Sequence, residues 1–222
     1  MKSNAYSVLM RQGCALVSTD NLFDRACFNS QIRRVSDAKH FSLNELEAGL
    51  EVIRQSPKDF GVLELISRRP NTDEREVVSE AQLHPSLGLM GDNWKSRGGH
   101  TPPNSEASPD MQLNVMNARV IELITQDKSR WALAGDQLFV DFDLSESNVP
   151  PGTRLVVGAA VIEVTAPPHL GCKKFSARFG QDALKFVNSP EGRQLHLRGV
   201  NAKIVQAGLI RTGDVVKKSV TE

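Results

Sequence analysis

Residues 153–165, TRLVVGAAVIEVT, decide the fold class because they hold two short β-branched runs on either side of Gly158. Thr153 to Val157 and Ala160 to Thr165 each have the length of a strand, and the glycine between them permits a tight turn. Short runs of the same kind occur elsewhere in the chain, at residues 61–66, 75–78, 111–116, 137–142, 200–206 and 215–216. The pattern predicts an α+β, β-rich fold, either a barrel or a strongly bent sheet with a few peripheral helices.

Helices are predicted between and before these strands. Ser42 and Glu45 form an S-x-x-E capping box at the start of an apolar stripe, which predicts a helix over residues 42–55. Further helices are expected at residues 118–124, 173–179 and 182–188. Residues 1–41 have little periodicity, so we expect an N-terminal arm followed by a single domain over residues 42–222, with the helix as its N-terminal extension.

The composition excludes several classes of protein. The 222 residues carry a net charge of +1, whereas a non-specific nucleic-acid binder needs a basic excess. No apolar run approaches the ~20 residues that span a bilayer, so no membrane partner is expected. Arg11, Asp20 and Asp24 interrupt any signal-like apolar segment. A cytoplasmic location follows as the default, with organelle targeting through the arginine-containing arm as the weaker alternative.

The three cysteines are an odd number without a C-x-x-C pair, which argues against a disulfide framework or a four-cysteine zinc site. Cys14 and Cys27 lie in the arm and are expected to be incidental. Cys172 follows a predicted strand and precedes a predicted helix, beside Lys173 and Lys174. A helix N-terminus and neighbouring lysines stabilise a thiolate, which can act as nucleophile, soft metal ligand or persulfide carrier. The alternative is a buried structural thiol.

A loop rich in Gly, Pro, Ser and Asn runs from Gly91 to Asp110, and loops of this length in compact domains are commonly functional. Asp92 at its start can bond backbone amides or a ligand, or can simply cap a turn. Arg97, followed by two glycines, suits a phosphate or another oxyanion. Gln112 on the next strand could point into a shared cleft, and Arg198 has similar anion-binding potential.

Other polar residues give weaker signals. His169 and Cys172 form an H-x-x-C pair, but no second half of a zinc site is present. A Cys-His hydrolase would need His84, His100 or His169 as base, and nothing in the sequence pairs one of them with the thiol. Asp136 and Asp214 each follow a glycine and are predicted to be turn residues.

Taken in order, these pieces resemble the MOSC domain, the C-terminal domain of molybdenum cofactor sulfurases, which also occurs as small stand-alone proteins. The similarity covers about residues 60–218. The matching motifs, in chain order, are 88–92 (GLMGD), Gln112, 135–138 (GDQL), 151–158 (PGTRLVVG), 160–165 leading to Cys172, 198–200 (RGV), and 208 through 213–216 (GDVV).

The resemblance implies a β-rich, barrel-like fold and binding of molybdenum cofactor (molybdopterin), transiently or as a prosthetic group. The single characteristic cysteine of the family, here Cys172, is thought to carry sulfur as a persulfide or to ligate molybdenum. Asp92, Gln112 and Arg198 would line the same cleft and position or charge-balance the cofactor. The pterin phosphate would be held by one or more of four residues: Arg97, Lys173, Lys174 and Arg198.

This chain departs from the family pattern at two points. Asn93-Trp94 stands where many stand-alone relatives place a histidine shortly after the Gly-Asp pair, and Gly171 replaces a common proline before the cysteine. We expect no pyridoxal-phosphate desulfurase domain in 222 residues, so sulfur would come from a partner desulfurase.

Three functions therefore stay open at this point. The first is a cofactor-binding sulfur carrier or sulfur-transfer protein acting through Cys172. The second is a molybdenum-dependent reductase of N-hydroxylated compounds that needs an electron-donor partner, since no flavin, haem or iron–sulfur motif is visible. The third is a non-catalytic cofactor-binding module.

Overall fold

The computed structural model describes residues 39–98 and 105–219. Several predictions fall outside these residues: most of the N-terminal arm with Cys14 and Cys27, and the part of the long loop that contains His100. All statements about the fold and the site refer to the described residues. No helix within them is both long and apolar enough to cross a bilayer.

The fold is a closed β-barrel, as one of the two sequence-based alternatives predicted. Residues 39–98 and 105–219 form eleven strands: β1 Phe60–Arg68, β2 Glu76–Val78, β3 Glu80–His84, β4 Gly88–Leu89, β5 Leu113–Asn117, β6 Leu138–Asp141, β7 Arg154–Val157, β8 Ala160–Val164, β9 Val200–Gln206, β10 Gly208–Arg211 and β11 Val215–Lys218. The main sheet has the order β11-β7-β8-β9-β5-β6-β1-β2. Pairing of β11 with β1 closes seven of these strands into a barrel and leaves β2 as an extra strand.

The barrel is mixed because β5 and β6 are parallel while its other pairs are antiparallel. A helix makes the connection that two parallel neighbours require. A second, three-stranded sheet has the order β10-β3-β4. The sequence did not predict any of these three strands.

Seven α-helices are described: α1 Leu43–Ala48, α2 Leu50–Arg54, α3 Trp94–Arg97, α4 Ala118–Thr125, α5 Lys173–Phe179, α6 Gln181–Asn188 and α7 Pro190–Gln194. The capping box at Ser42 and Glu45 is formed as predicted. The helix expected over residues 42–55 is divided at Gly49, and its first part, α1, packs against α6. A 3-10 segment, Lys128–Ala134, leads into β6.

Two apolar clusters lie on opposite faces of the same strands. Leu63, Leu138 and Val140 belong to the cluster inside the barrel, whereas Leu65 and Phe139 belong to a cluster that the helices cover. A register shift between Leu63 and Leu65 lets β1 serve both clusters. Because these strands are buried on both faces, they are almost continuously apolar in sequence.

Strand pairing places the starts of β6 and β9 on either side of β5. Val115 of β5 pairs with Leu138 at the start of β6 and with Val200 at the start of β9. The side chains of Asp136, just before β6, and Arg198, just before β9, span the distance between these segments and bond to each other.

Candidate functional site

Asp136 is the buried carboxylate at the centre of the site. Its Oδ1 and Oδ2 accept hydrogen bonds of 2.9 and 2.7 Å from one terminal nitrogen of Arg198, and Oδ1 also lies 2.9 Å from Nε2 of His169. Burial raises the pKa of Asp136, but the charge of Arg198 and the hydrogen bond to His169 outweigh it and leave the pKa below its ordinary value. The carboxylate is therefore ionised, which corrects the prediction that Asp136 is an ordinary turn residue.

His169 is held in one orientation by this carboxylate. Burial lowers the pKa of His169, and the positive charge of Arg198 lowers it further, so the ring is neutral near pH 7. Since an ionised carboxylate only accepts hydrogen bonds, Nε2 carries the proton and Nδ1 is the basic nitrogen. The neutral ring of His169 thus bonds to a carboxylate whose charge an arginine already balances.

Three consecutive backbone carbonyls before Asp136 each accept a hydrogen bond from a different arginine. Arg178 donates to the carbonyl of Leu133 at 2.6 Å, Arg198 to that of Ala134 at 2.9 Å, and Arg69 to that of Gly135 at 3.3 Å. Gly135 has a φ of +91°, a left-handed conformation that favours glycine. The turn at residues 133–136 therefore gathers side chains that lie far apart in sequence.

Arg75 lies beside the same turn and completes what we term the arginine cluster: Arg69, Arg75, Arg178 and Arg198. A Cβ added to Gly135 would lie 3.5 Å from a terminal nitrogen of Arg75. Burial lowers the pKa of Arg75, and repulsion by Arg178 and Arg69 lowers it further. The protein thus holds this cation close to other cations.

Two buried donors of the cluster lack hydrogen-bond partners within the described part of the chain. They are the Nε atoms of Arg75 and Arg198. Arg198 also lies over the ring of Phe175 in α5, with 4.9 Å between its guanidinium carbon and the ring centre. Unpartnered buried donors are uncommon in folded proteins and suit a site that accepts an anion.

The side chain of Asp92 is fully buried and bonded to Arg69, with additional hydrogen bonds from the backbone amides of Arg69 and Trp94. Burial raises its pKa, and the bonds and charge of Arg69 lower it to a net value below the ordinary one. The structure thus gives Asp92 the task of orienting Arg69. Direct contact of Asp92 with a ligand stays a prediction.

Gln112 is buried as well, and both ends of its side-chain amide bond to backbone. Nε2 donates to the carbonyl of Pro85 at 2.7 Å, and Oε1 accepts from the amide of Ile204 at 2.7 Å. The side chain thereby fastens the start of β5 to β9 and to the β3–β4 turn. The prediction that Gln112 orients a ligand stays untested.

Cys172 is exposed and is the N-cap residue of α5, so the alternative of a buried structural thiol is wrong. Lys173 and Lys174 are exposed beside it. Lys174 bonds to Asp73 at 3.0 Å, and Arg178 of the same helix lies 3.7 Å from Asp73. These contacts tie α5 to the β1–β2 turn that carries Arg75, which brings the helix that follows Cys172 against the arginine cluster.

Three predictions are left to compare with the structure: Arg97 as a cation for an anionic ligand, a pairing of a histidine with Cys172, and the absence of a compact metal site. Arg97 lies at the surface on α3, where desolvation by neighbouring groups and then the charge of Arg69 lower its pKa. Within the described ranges, the His169 ring bonds to Asp136 and forms no hydrogen bond with the thiol of Cys172. The same residues contain no group of three or more His, Cys, Asp and Glu side chains placed to hold a metal ion.

Sequence reasoning missed Arg69, Arg75 and Arg178 and assigned Asp136 to a turn. Arg69 lies three residues beyond the strand predicted at 61–66, and directly follows β1, which extends further than predicted, to Arg68. Arg75 opened a predicted strand, and Arg178 lay within a predicted helix, where a cation is ordinary. Their convergence on residues 133–136 depends on tertiary contacts that no local pattern contains.

Comparison with known protein families decides the assignment. The model of the MOSC domain family matches residues 107–217, which is half of the chain and includes Gln112, Asp136, His169, Cys172 and Arg198. The chain belongs to the MOSC domain family. MOSC domains are generally linked to binding of the molybdenum cofactor. A comparison with curated proteins found no match to this chain.

Solved structures resemble this fold at low sequence identity. A hypothetical protein of known crystal structure is 20% identical, with a TM-score of 0.52 over 77% of this chain and 72% of its own. The YUAD protein from Bacillus subtilis is 14% identical, with a TM-score of 0.50 over 73% of this chain and 97% of its own. YiiM from Escherichia coli is 18% identical, with a TM-score of 0.47 over 72% and 71%. At these identities the likeness concerns the fold alone.

Proposed function

We propose that this MOSC domain binds molybdenum cofactor and carries sulfur on Cys172. One observation carries the proposal: an exposed thiol begins the helix that carries Arg178 and lies against Arg198, two members of an arginine cluster with unpartnered buried donors. A thiolate is a soft ligand and nucleophile, and arginines bind phosphate through several N–H groups. These are the two chemistries that a sulfur-containing metal pterin phosphate requires.

The residues present fit the cofactor. The cluster supplies four guanidinium groups, while its two fully buried carboxylates, those of Asp92 and Asp136, are each already bonded to an arginine. Arg75 and Arg198 retain buried Nε donors. An anion placed there would gain hydrogen bonds and relieve the repulsion among Arg69, Arg75 and Arg178.

Separate tasks follow for the individual residues. Arg75 and Arg198 would hold the phosphate, with Lys173, Lys174 and Arg97 as additional cations at the exposed rim. Asp92 would keep Arg69 in place, and Asp136 would do the same for Arg198. When bound, the cofactor supplies a molybdenum centre whose sulfur ligand could be exchanged. Cys172 would present its thiolate to this sulfur chemistry.

Sulfur loading of Cys172 would balance as a persulfide exchange. The thiolate of Cys172 attacks the outer sulfur of a donor persulfide, and a new S–S bond forms on Cys172. The S–S bond of the donor breaks, and the donor leaves as a thiolate with that electron pair. One persulfide and one thiolate stand on each side of the reaction, so no separate oxidant or reductant is consumed. The donor would be a persulfide on a partner desulfurase.

The proposal is tested by expressing the full chain in cells that make the cofactor and measuring bound pterin, molybdenum and cyanide-labile sulfur per chain. We expect the wild-type protein to contain pterin and labile sulfur. Cys172→Ser should lose the labile sulfur and keep the pterin, because the arginines hold the phosphate. Cys14→Ser and Cys27→Ser serve as matched controls and should keep both.

Two other outcomes would redirect the assignment. Stoichiometric molybdenum that disappears with Cys172→Ser would indicate direct ligation by the thiolate and favour the reductase of N-hydroxylated compounds. If the protein binds pterin but carries no labile sulfur, and if its metal content does not depend on Cys172, the result would favour a non-catalytic binding module. Absence of pterin, molybdenum and labile sulfur from the wild-type protein would contradict the proposal.

A further inference from the structure

Asn188, the last residue of α6, bonds to both backbone groups of Gly171, the residue before Cys172. Its Oδ1 accepts from the amide of Gly171 at 2.9 Å, and its Nδ2 donates to the carbonyl of Gly171 at 3.1 Å. The side-chain amide thus pairs with both the N–H and the C=O of Gly171, as the backbone of a neighbouring strand would. The residue before the thiol is fixed at two points by one side chain.

Packing fixes the same residue from the side. A Cβ added to Gly171 would lie 2.8 Å from Cδ1 of Leu184 and 3.0 Å from Cγ2 of Val187. Leu184, Val187 and Asn188 lie on one face of α6, at spacings of three and four along the helix. Gly171 therefore lies directly against this face, where a larger residue would push the loop away.

The rest of the loop between β8 and α5 has anchors of its own. Nδ2 of Asn201 donates to the carbonyl of Pro167 at 2.9 Å, and the ring of His169 bonds to Asp136. These two contacts fix the part of the loop nearest the barrel. Cys172 itself is held from two sides: its carbonyl accepts a hydrogen bond of 3.0 Å from the amide of Ser176 in α5, and the preceding Gly171 bonds to Asn188.

We propose that Asn188 is a positioning residue that holds the Cys172 thiol at the start of α5, the helix that carries Lys173, Lys174 and Arg178 of the arginine cluster. The inference rests on the proposed function for its purpose, since an anionic sulfur-bearing ligand has to meet the thiol and the cations together. Without the two hydrogen bonds, Gly171 would move away from α6, and the exposed thiol that follows it would no longer be held in one position at the start of α5.

The test compares alkylation of Cys172 in the full-length chain by iodoacetate, which is anionic, and iodoacetamide, which is neutral. Both reagents react with the thiolate, so the ratio of their rate constants cancels the amount of thiolate and reports the local electrostatic potential. Cys14 and Cys27 are replaced by serine in every variant. The variants are Asn188→Ala, which loses both bonds, and Asn188→Asp, which keeps an acceptor for the Gly171 amide.

Asn148→Ala is the matched control. Asn148 likewise fastens a loop through its side chain, with hydrogen bonds to the carbonyls of Lys58 and Asp143. Thermal unfolding of each variant measures the general loss of stability. A merely structural role of Asn188 would lower the unfolding temperature as Asn148→Ala does and leave the rate ratio unchanged.

We expect the wild-type ratio to exceed that of free cysteine, and Asn188→Ala to lower it by about threefold or more, given the usual size of local potentials. Asn188→Asp should also lower it, because the added carboxylate repels iodoacetate. An unchanged ratio in Asn188→Ala, or a wild-type ratio equal to that of free cysteine, would overturn the inference. If the wild-type protein takes up no sulfur, the proposed function fails, whereas the alkylation ratio still decides the role of Asn188.

Discussion

Arg69 and Asp92 form a two-point ion pair in which Nε and one terminal nitrogen of the guanidinium donate to separate carboxylate oxygens at 2.8 and 2.9 Å. The side chains of Arg69 and Asp92 are 7% and 0% exposed. A buried pair of this kind fixes the orientation of the arginine, and Arg69 in turn reaches the carbonyl of Gly135. Asp92 therefore connects the loop after β4 to the turn that organises the site.

Asp92→Asn should destabilise the protein strongly. Removal of one partner leaves the charge of Arg69 buried without compensation, which costs about 3–5 kcal/mol in comparable cases. Urea unfolding of the full-length chain measures the change. Glu80→Gln is the matched control because it breaks the exposed pair with Arg211, and it should change the free energy of unfolding by less than about 1 kcal/mol. Equal losses in both variants would contradict the structural role of Asp92.

Acidification should destabilise the protein in two steps. The pKa of His169 lies below its ordinary value of 6.5, so the folded chain binds fewer protons than the unfolded chain just below that pH. The free energy of unfolding should therefore begin to fall as the pH drops below 6.5. The lowered pKa values of Asp92 and Asp136 give stability that is present above their ordinary value of 3.8 and is lost at still lower pH.

His169→Gln separates the two steps. This variant should lose the pH dependence that begins below pH 6.5 and keep the acid step of the carboxylates. Denaturant unfolding at a series of pH values measures both regions, and His84→Gln controls for the loss of a histidine elsewhere. Persistence of the upper step in His169→Gln would mean that another group causes it.

Arg75→Gln should weaken phosphate binding without loss of stability. The substitution removes a cation that Arg178 and Arg69 repel, so the unfolding temperature without phosphate should stay the same or rise. Phosphate affinity should fall about tenfold, since a hydrogen bond to a charged group contributes about 1.5–3 kcal/mol. The increase in unfolding temperature with added phosphate measures this affinity. Arg154→Gln, at an exposed pair with Glu163, should leave the affinity unchanged.

Gly171→Ala should destabilise the protein by about 1–3 kcal/mol, the usual cost of an added methyl group in a packed contact. The new Cβ would meet Cδ1 of Leu184 at 2.8 Å. Leu184→Val shortens that side chain, so the double variant should lose less stability than the sum of the two single changes. Strict additivity in chemical unfolding would show that the loop does not press on α6.

Local patterns in the sequence predicted much of the fold. Helix α5, Lys173–Phe179, forms over the residues that the sequence predicted, and the barrel strands follow the β-branched runs. The small sheet was missed because β3, Glu80–His84, holds only two apolar residues among polar ones with low strand propensity. The break at Gly49 depends on tertiary packing against Leu123, which helical periodicity does not report.

The site was less predictable than the fold. Cys172 was identifiable from its own context, because a cysteine before a helix with adjacent lysines is recognisable locally. Asp136 follows a glycine, as many turn residues do, and nothing in its neighbourhood marks it as buried. Its role depends on Arg198, 62 residues away, and on the register that places β6 and β9 on either side of β5.

Sulfur transfer to Cys172 tests the central claim most directly. The purified full-length chain and Cys172→Ser are incubated with a persulfide donor, freed of it, and treated with cyanide to release sulfane sulfur as thiocyanate. The account predicts about one sulfur per wild-type chain, carried on the peptide that contains Cys172, and none on that peptide in the variant. Equal release from both proteins, or none from the wild-type chain, would contradict it.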